Sequence, residues 1–405
     1  MTEIPRTKNG AIIDTNDPIV TYEGFTGLRN TVASDRIKDT ELVTATNVDI
    51  DSSGVISRRA GATLKNASAA HSLWSNSTVT LFVSGTSMYR LNADFTATSI
   101  ATGLSQGLTM RYTEVNGVVY FGNGAETGAY QNGAVRSWGL RAPAVQPQVS
   151  AIPGMLPAGT YQYAITYEAS DGRESGTWNA GQITLAADQG LRLTSIPVST
   201  DRTVSSVRLY LTPQNGDVLF LAAKIPNGTT SYDYVATVLA LGVQLRTQFL
   251  DKPTTMQEVA LYHGRIYGFQ FEQLKYTEQF NYELMDANNF YLLESAGKII
   301  APVDSGIFVA TEANTWFYQG NGPEDFIRRN VAGYGAIFGT LSYIEHEKYG
   351  IVPMWQSTQG IVLGTDAGQL ENITRKSYVY ASAPTGASLF KQTSGRNQYI
   401  SVLQG

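Results

Sequence analysis

The chain contains no cysteine among its 405 residues. Disulfides, thiolate nucleophiles and cysteine-based zinc sites are therefore excluded together. Histidine is scarce: His71, His263 and His346 stand far apart, and none forms an HExxH or HxH pattern. His263 precedes a glycine and reads as a turn residue. No GxSxG elbow marks a serine nucleophile. Gly320-Asn321-Gly322-Pro323-Glu324 has glycines but no lysine to cradle a phosphate, and reads as a turn. No run approaches the ~18 apolar residues of a membrane span. Met1 to Lys8 lacks the apolar core of a signal peptide, so folding in a reducing cytoplasm is expected. Charge is also sparse, at 16 % of residues, with 29 basic against 34 acidic side chains. A net charge of −5 argues against wrapping nucleic acid, which depends on Lys and Arg neutralising phosphates. Arg328-Arg329 is too short for such a patch.

What the chain does have is 39 glycines, 23 tyrosines and many β-branched residues. Those suit tight turns and pleated, half-buried surfaces. Six segments resemble one another, each with a small turn residue before alternating apolar residues. Their anchors are Ser77, Gly117, Gly264, Gly306, Gly360 and Gly395, at steps of 40, 147, 42, 54 and 35 residues. A propeller blade repeats every ~40–45 residues. Removing the 109 residues Arg141 to Phe249 shortens the long step to 38. The expected fold class is all-β: a β-propeller of about six blades with one inserted β-sandwich.

The expected organisation follows. Residues 1–40 are an N-terminal arm with a turn at Tyr22 to Gly27, able to order on a partner. Residues 41–140 and 251–405 form the propeller, and 141–250 the insertion, entered through Arg141-Ala142-Pro143-Ala144-Val145-Gln146-Pro147. Asn47 to Arg59 reads as a β-hairpin. The last repeat reaches only its second strand before Gly405. Blades have four strands, so the hairpin near Asn47 is expected to supply the missing two and close the ring from both ends of the chain.

Candidate chemistry is thin. Asp49, Asp51 and Ser53 match the start of a calcium-binding EF loop, but the twelfth position is Ala60 instead of a bidentate Glu. The same residues are strong turn formers. Glu272, Glu278, Glu283 and Asp286 cluster near Tyr276 and Tyr282, as a propeller glycosidase would require. The sialidase-like Ser/Thr-x-Asp-x-Gly-x-x-Trp repeat is missing; Gly364-Thr365-Asp366-Ala367-Gly368 keeps only its Asp-x-Gly core. Trp138, Trp178, Trp316 and Trp355 read as core or rim residues. The chain is read as no enzyme, with no catalytic residue and no cofactor. A glycan-binding or glycan-cleaving propeller is the alternative.

Two segments carry a family resemblance. Gly24-Phe25-Thr26-Gly27-Leu28-Arg29-Asn30 is followed by a hairpin from Asn47 to Gly61. Together they resemble the start of bacteriophage tail nozzle proteins, which open with a Gly-Gly-x-Asn arm and an Asn-Val-Asp-x-Asp-x-x-Gly-x-Leu-x-x-Arg-x-Gly hairpin. The arm departs from the double glycine, and Ile56 stands for the leucine. The resemblance implies a structural virion protein: a β-propeller ring, hexameric, below the portal and adaptor. Such a ring continues the DNA channel without sequence-specific binding and contacts fibres or neighbouring tail proteins. It would sit in the tail of the virion, after assembly in the host cytoplasm, with no membrane partner. Residues 148–250, through Gly159 to Ser175 and Val204 to Thr212, resemble a fibronectin type III module, of a kind that spaces or presents rather than catalyses.

Overall fold

A computed structural model of the chain describes residues 24–186, 188–380, 382–393 and 396–404. The first 23 residues of the expected arm and the anchor Gly395 lie outside the described residues. The chain is all-β, with two short 3-10 turns, Ser34–Arg36 and Val238–Ala240, among the described residues. No helix there is long and apolar enough to cross a membrane.

The chain divides into two compact units. One takes Ala69–Pro302 with Asn321–Phe326; the other takes Val303–Gly320, Ile327–Gly405 and the described part of Met1–Ser68.

The larger unit holds three antiparallel four-stranded meanders. The first runs through Ala70–Ser75, Thr80–Ser84, Ser87–Leu91 and Ala97–Thr102. The second runs through Arg111–Val115, Val118–Gly122, Thr127–Gln131 and Ala134–Arg136. The third uses Val259–Tyr262, Arg265–Gln270, Gln273–Tyr276 and Phe290–Leu292. Alternating side chains bury both faces of the middle strands, so the meanders stack face to face. Val83 and Met88 of the first meet Phe121 of the second. Val118 and Tyr120 of the second meet Val259 and Ile266 of the third. The first hairpin turns of the second and third meanders are Asn116-Gly117 and His263-Gly264, with φ of 52° and 77°, then 41° and 76°. Two consecutive left-handed residues give the tight turn that matches strand twist.

Between the second and third meanders the chain builds two sheets that share one core. One has the order Gln148–Leu156, Gln189–Thr194, Ser231–Tyr234. The other has the order Gly181–Leu185, Gly159–Ala169, Val204–Leu211, Phe220–Pro226. Tyr161, Ile165, Leu191, Leu193, Val207 and Leu209 fill the space between them, each fully buried. This is sandwich packing.

In the smaller unit, Gly306–Thr311, Thr315–Gln319 and Ile327–Ala332 form an antiparallel run. A complete meander follows: Ser342–His346, Gly350–Ser357, Gly360–Gly364 and Leu370–Asn372. Phe308 joins the two, its ring 4.7 Å from Phe317 and 5.8 Å from Trp355. A long hairpin, Thr385–Thr393 with Arg396–Gln404, lays Phe390 and Tyr399 on Ile344, Val352, Met354 and Leu363.

Three sequence expectations need correction. Gly360 opens the third strand of its meander, whereas Gly117 and Gly264 precede second strands. The second strands begin at Thr80, Val118, Arg265, Gly306 (the strand that follows Gly297–Val303 in the chain), Gly350 and Arg396, at intervals of 38, 147, 41, 44 and 46 residues. The uneven steps of 54 and 35 came from an anchor one strand out of register. Secondly, residues 24–40 are not a free arm. Gly27–Leu28 pairs in parallel with Glu41–Leu42, and Arg29 bonds Glu41 at 3.0 Å. Asn30 both donates to Val379 O (2.6 Å) and accepts from Val379 N (2.7 Å). Thirdly, the hairpin Val48–Ile50/Ile56–Arg58 forms its own two-stranded sheet, as does Thr385–Gln404, instead of sharing one ladder. The two lie side by side, with Asp51 Oδ2 3.9 Å from Arg396.

Candidate functional site

The N-terminal hairpin explains its own sequence pattern. Asn47 takes a left-handed conformation (φ 56°) and its carbonyl accepts from Arg59 N at 2.8 Å. Asp49 Oδ1 receives Arg59 Nε at 3.1 Å. Asp51 Oδ1 accepts three bonds at the turn: Ser53 N (3.0 Å), Ser53 Oγ (2.6 Å) and Val55 N (2.9 Å). The Ser53 hydroxyl and the Val55 amide hold the Asp51 carboxyl below its ordinary range. Gly54 (φ +80°) is required twice, because a Cβ there would sit 2.5 Å from the backbone of Gly24. The glycine of the hairpin therefore rests on the first glycine of the described arm, and Phe25 N donates to Gly54 O at 2.9 Å.

These bonds correct the calcium candidate. Asp49 and Asp51 each face a guanidinium, and Asp51 spends one oxygen on turn donors, so the oxygens are not presented to a cation. Among the described residues no group of three or more His, Asp or Glu is placed to hold a metal ion.

The carboxylates of the third meander take different partners, and Glu278 lies 4.0 Å from Arg265. Glu272 is exposed beside the Phe271 turn. Asp286 caps its own turn through Asn288 N at 2.8 Å. Glu278 accepts from Asn289 at 2.7 Å. Glu283 alone is a hub. It accepts from Tyr120 Oη (2.9 Å), Arg136 Nη2 (2.8 Å), Arg136 Nη1 (3.3 Å) and Gly139 N (2.5 Å), with Arg173 of the sandwich 3.9 Å away. Burial and the Glu283 carboxylate together push the Tyr120 hydroxyl far above its ordinary value. Trp138 Nε1 donates to Tyr282 O at 2.7 Å, and Ser137 Oγ donates to Asp201 at 2.6 Å. Further along, Asp251 Oδ1 accepts from Ala142 N at 3.0 Å. This constellation bolts the inserted sandwich to the second and third meanders. It leaves Glu283 no free oxygen for acid or base chemistry.

The remaining candidates have local roles. His71 Nδ1 meets Ser72 Oγ at 2.8 Å within a β-bulge, and burial lowers its pKa. His263 is a turn residue whose ring lies 4.3 Å from Tyr262. His346 Nδ1 accepts from Lys348 N at 3.2 Å. Asp366 Oδ1 accepts from Ser305 N at 2.9 Å, tying one turn to another. Trp138 and Trp355 are buried core residues, Trp178 is partly exposed, and Trp316 lies 4.8 Å beneath Arg328. Gly320 to Glu324 leads into Phe326. The Phe326 ring sits 6.1–6.4 Å from those of Tyr262, Tyr267 and Tyr291, while Glu324 takes Arg265 at 2.7 Å.

Sequence reasoning missed Asn30 as a latch, Glu283 as a bolt and the buried Glu258. Burial raises the Glu258 carboxyl against the pull of Arg111, whose Nε lies 3.1 Å from Oε1. Glu283 and Glu258 stand in no local motif, and Asn30 ends the Gly24 to Asn30 segment without any local sign of its partner. Each partner is more than 100 residues away in the chain, and Glu283 reaches Arg136 and Gly139 across the insertion.

A cleft of about 620 Å³ is lined by Ile50, Asp51, Ile344, Glu345, His346 and Arg396, among others. Asn397 donates to Glu345 O at 3.1 Å, and Gln392 to the Glu345 carboxylate at 3.4 Å. It is a mainly polar seam between the terminal hairpins and the meander over 342–372.

No protein-family model and no curated protein matches the chain. Among solved structures, the chain is similar to BBS1N in complex with ARL6DN, at 9 % identity and a TM-score of 0.33, covering 83 % of this chain and 90 % of that one. It is also similar to the AfRom2 CNH domain, at 7 % identity and a TM-score of 0.25, covering 83 % and 94 %. Likenesses at these TM-scores carry no argument about what the chain does.

Proposed function

We propose that the chain is a structural protein of a bacteriophage tail: a β-propeller of about six blades whose copies form a ring below the portal and adaptor, with the inserted sandwich projecting toward fibres or neighbouring tail proteins. The observation that carries the architecture is the spacing of second strands, 38 to 46 residues once the insertion is removed. Each interval accommodates one four-stranded meander. The hairpin near Asn47 and the hairpin Thr385–Gln404 are separate two-stranded sheets that lie beside each other, so both ends of the chain meet at one place. The phage assignment rests on the resemblance of Gly24 to Asn30 and Asn47 to Gly61.

In this reading the function follows from assembly. A repeated heterologous contact with a closing rotation makes a ring, and DNA passes through it without sequence-specific contact. The bonds that occupy Glu278, Glu283 and Asp286 favour this over the glycan-acting alternative, because these candidate acids already hold structural partners. Mass spectrometry of purified virions tests it, with about six copies per particle expected from the ring symmetry. Electron microscopy of the protein added to tail-less particles should show a ring at the portal vertex. Absence from virions, together with glycan binding by the purified protein, would overturn the proposal.

A further inference from the structure

Tyr234 to Leu245, the loop that leaves the three-stranded sheet of the sandwich, carries no charged residue. Its tip, Leu239, is 92 % exposed, more than any other large apolar side chain among the described residues. Val235 and Val243 of the same loop are exposed too. The backbone around the tip is tied down. Thr237 Oγ1 accepts from Leu239 N at 3.2 Å, Tyr234 Oη donates to Thr237 O at 3.2 Å, and Leu221 N donates to Val243 O at 2.8 Å. Val238 and Leu241 pack on the sandwich core. An apolar knob already held in place loses little freedom on docking. The smaller unit holds a hole of matching chemistry. Ile344, Met354, Ile361, Ile373, Phe390 and Tyr399 line a pocket of about 250 Å³ between the long hairpin and its meander. Cutting a leucine side chain out of a packed core leaves about 150 Å³, so the pocket admits one leucine and part of a neighbour.

We infer that Leu239 of one copy of this chain seats in that pocket on a second copy. Volume and apolar lining match the knob to the hole. Charge matches their surroundings. The loop ends on the exposed cation Arg246. The pocket shares Ile344 and Asn397 with the polar cleft, whose lining includes the exposed carboxylate of Glu347. Arg246 and Glu347 are thus of opposite sign, beside the knob and beside the hole. Knob and hole are different patches of the same molecule, so the contact is heterologous and can repeat from copy to copy. It needs only two copies of this chain and goes beyond the tail reading.

Absence of native cysteine makes the test clean. Ala240→Cys leaves the Leu239 knob intact, and Glu371→Cys stands two residues from Ile373 of the pocket. The two single variants, carrying different mass tags, are mixed and treated with a short bismaleimide. The control mixes Ala240→Cys with Ser150→Cys on the sandwich. Each rate is normalised to the reaction of that thiol with a monofunctional maleimide. Burying one leucine shifts an equilibrium by about tenfold or more, so the Ala240/Glu371 product should form about tenfold faster than the control. Adding Leu239→Asp to the Ala240→Cys chain should bring that rate down to the control's. Its melting temperature should not change, because Leu239 is exposed. Equal rates in the two mixtures, or a rate that Leu239→Asp leaves unaltered, would overturn the inference. So would Leu239-dependent binding of the parent chain to phosphatidylcholine vesicles, which would assign the knob to a bilayer. Mass spectrometry of virions tests the tail reading separately, so either can fail while the other stands.

Discussion

Replacing Glu283 by alanine should loosen the inserted sandwich from its mount. The side chains of Arg136 and Glu283 are 11 % and 13 % exposed, so this is a largely desolvated pair. Removing one partner of a buried pair costs about 3–5 kcal/mol, because the other charge is left uncompensated. Arg136 keeps two other acceptors, Gln131 Oε1 at 3.2 Å and Ser137 O at 3.1 Å. Those place the expected loss for Glu283→Ala near the lower end, about 3 kcal/mol, or roughly a hundredfold in the opening equilibrium. The apolar double variant Arg136→Met/Glu283→Leu should lose much less, because no charge stays buried. Urea unfolding of single and double variants measures both terms. Trypsin cleavage after the exposed Arg141 reports opening of the mount itself. A Glu283→Ala protein within about 0.5 kcal/mol of the parent would refute the bolt, as would losses that simply add in the cycle.

Gly54→Ala should detach the N-terminal hairpin, since φ is +80° and the new Cβ meets Gly24 at 2.5 Å; faster exchange over 47–59 is expected, with Gly61→Ala as a silent control because its Cβ site is open. Gly176→Ala should prevent proper closure of the sandwich, its Cβ falling 1.7 Å from Leu250 O, and should be read as lost soluble expression or a lowered melting temperature. Phe326→Ala should cost about 2–3 kcal/mol by emptying the space between Tyr262, Tyr267 and Tyr291, measured by thermal unfolding. Acid should weaken the sandwich through Glu168. Burial raises its pKa, but bonds from Arg208, Lys224 and Ser206 outweigh that and bring it to about 2 from 4.5. A depressed folded pKa means that the stabilisation is present above about pH 4.5 and is lost as pH falls toward 2. Glu168→Gln should flatten that slope in unfolding measured between pH 5 and 2.

The repeat was legible because each meander buries both faces of its middle strands, which forces alternating apolar runs between glycine-marked turns. Register was less legible. Gly360 and Gly117 look alike in sequence, yet one opens a third strand and the other precedes a second, since any hairpin with a tight turn favours glycine. Gly350, with φ +71°, opens the second strand that Gly360 was taken to mark. Hairpin turns announce themselves locally, but their place in a four-stranded order is set by which strand pairs across, a non-local fact.

The same division governs the sites. Asp51, Ser53 and Gly54 could be read as a turn from their own sequence, because donors and acceptor lie within four residues. Glu283 could not, because its partners come from Tyr120, Arg136 and Gly139, on the far side of the insertion. Carboxylates clustered in sequence suggested a catalytic group, yet strand geometry sends them to different neighbours. Glu283 packs against the preceding meander, whereas Asp286 turns back on its own loop. Proximity along a β-rich chain therefore says little about convergence, since successive strand residues point to opposite faces. What does carry over from sequence is the cost of placing charge inside. Charged residues are few here, so one that is buried must be paired; the pairs at Glu283 and Glu258 fall where separate sheets have to be held together, and that at Glu168 ties three strands of one sheet.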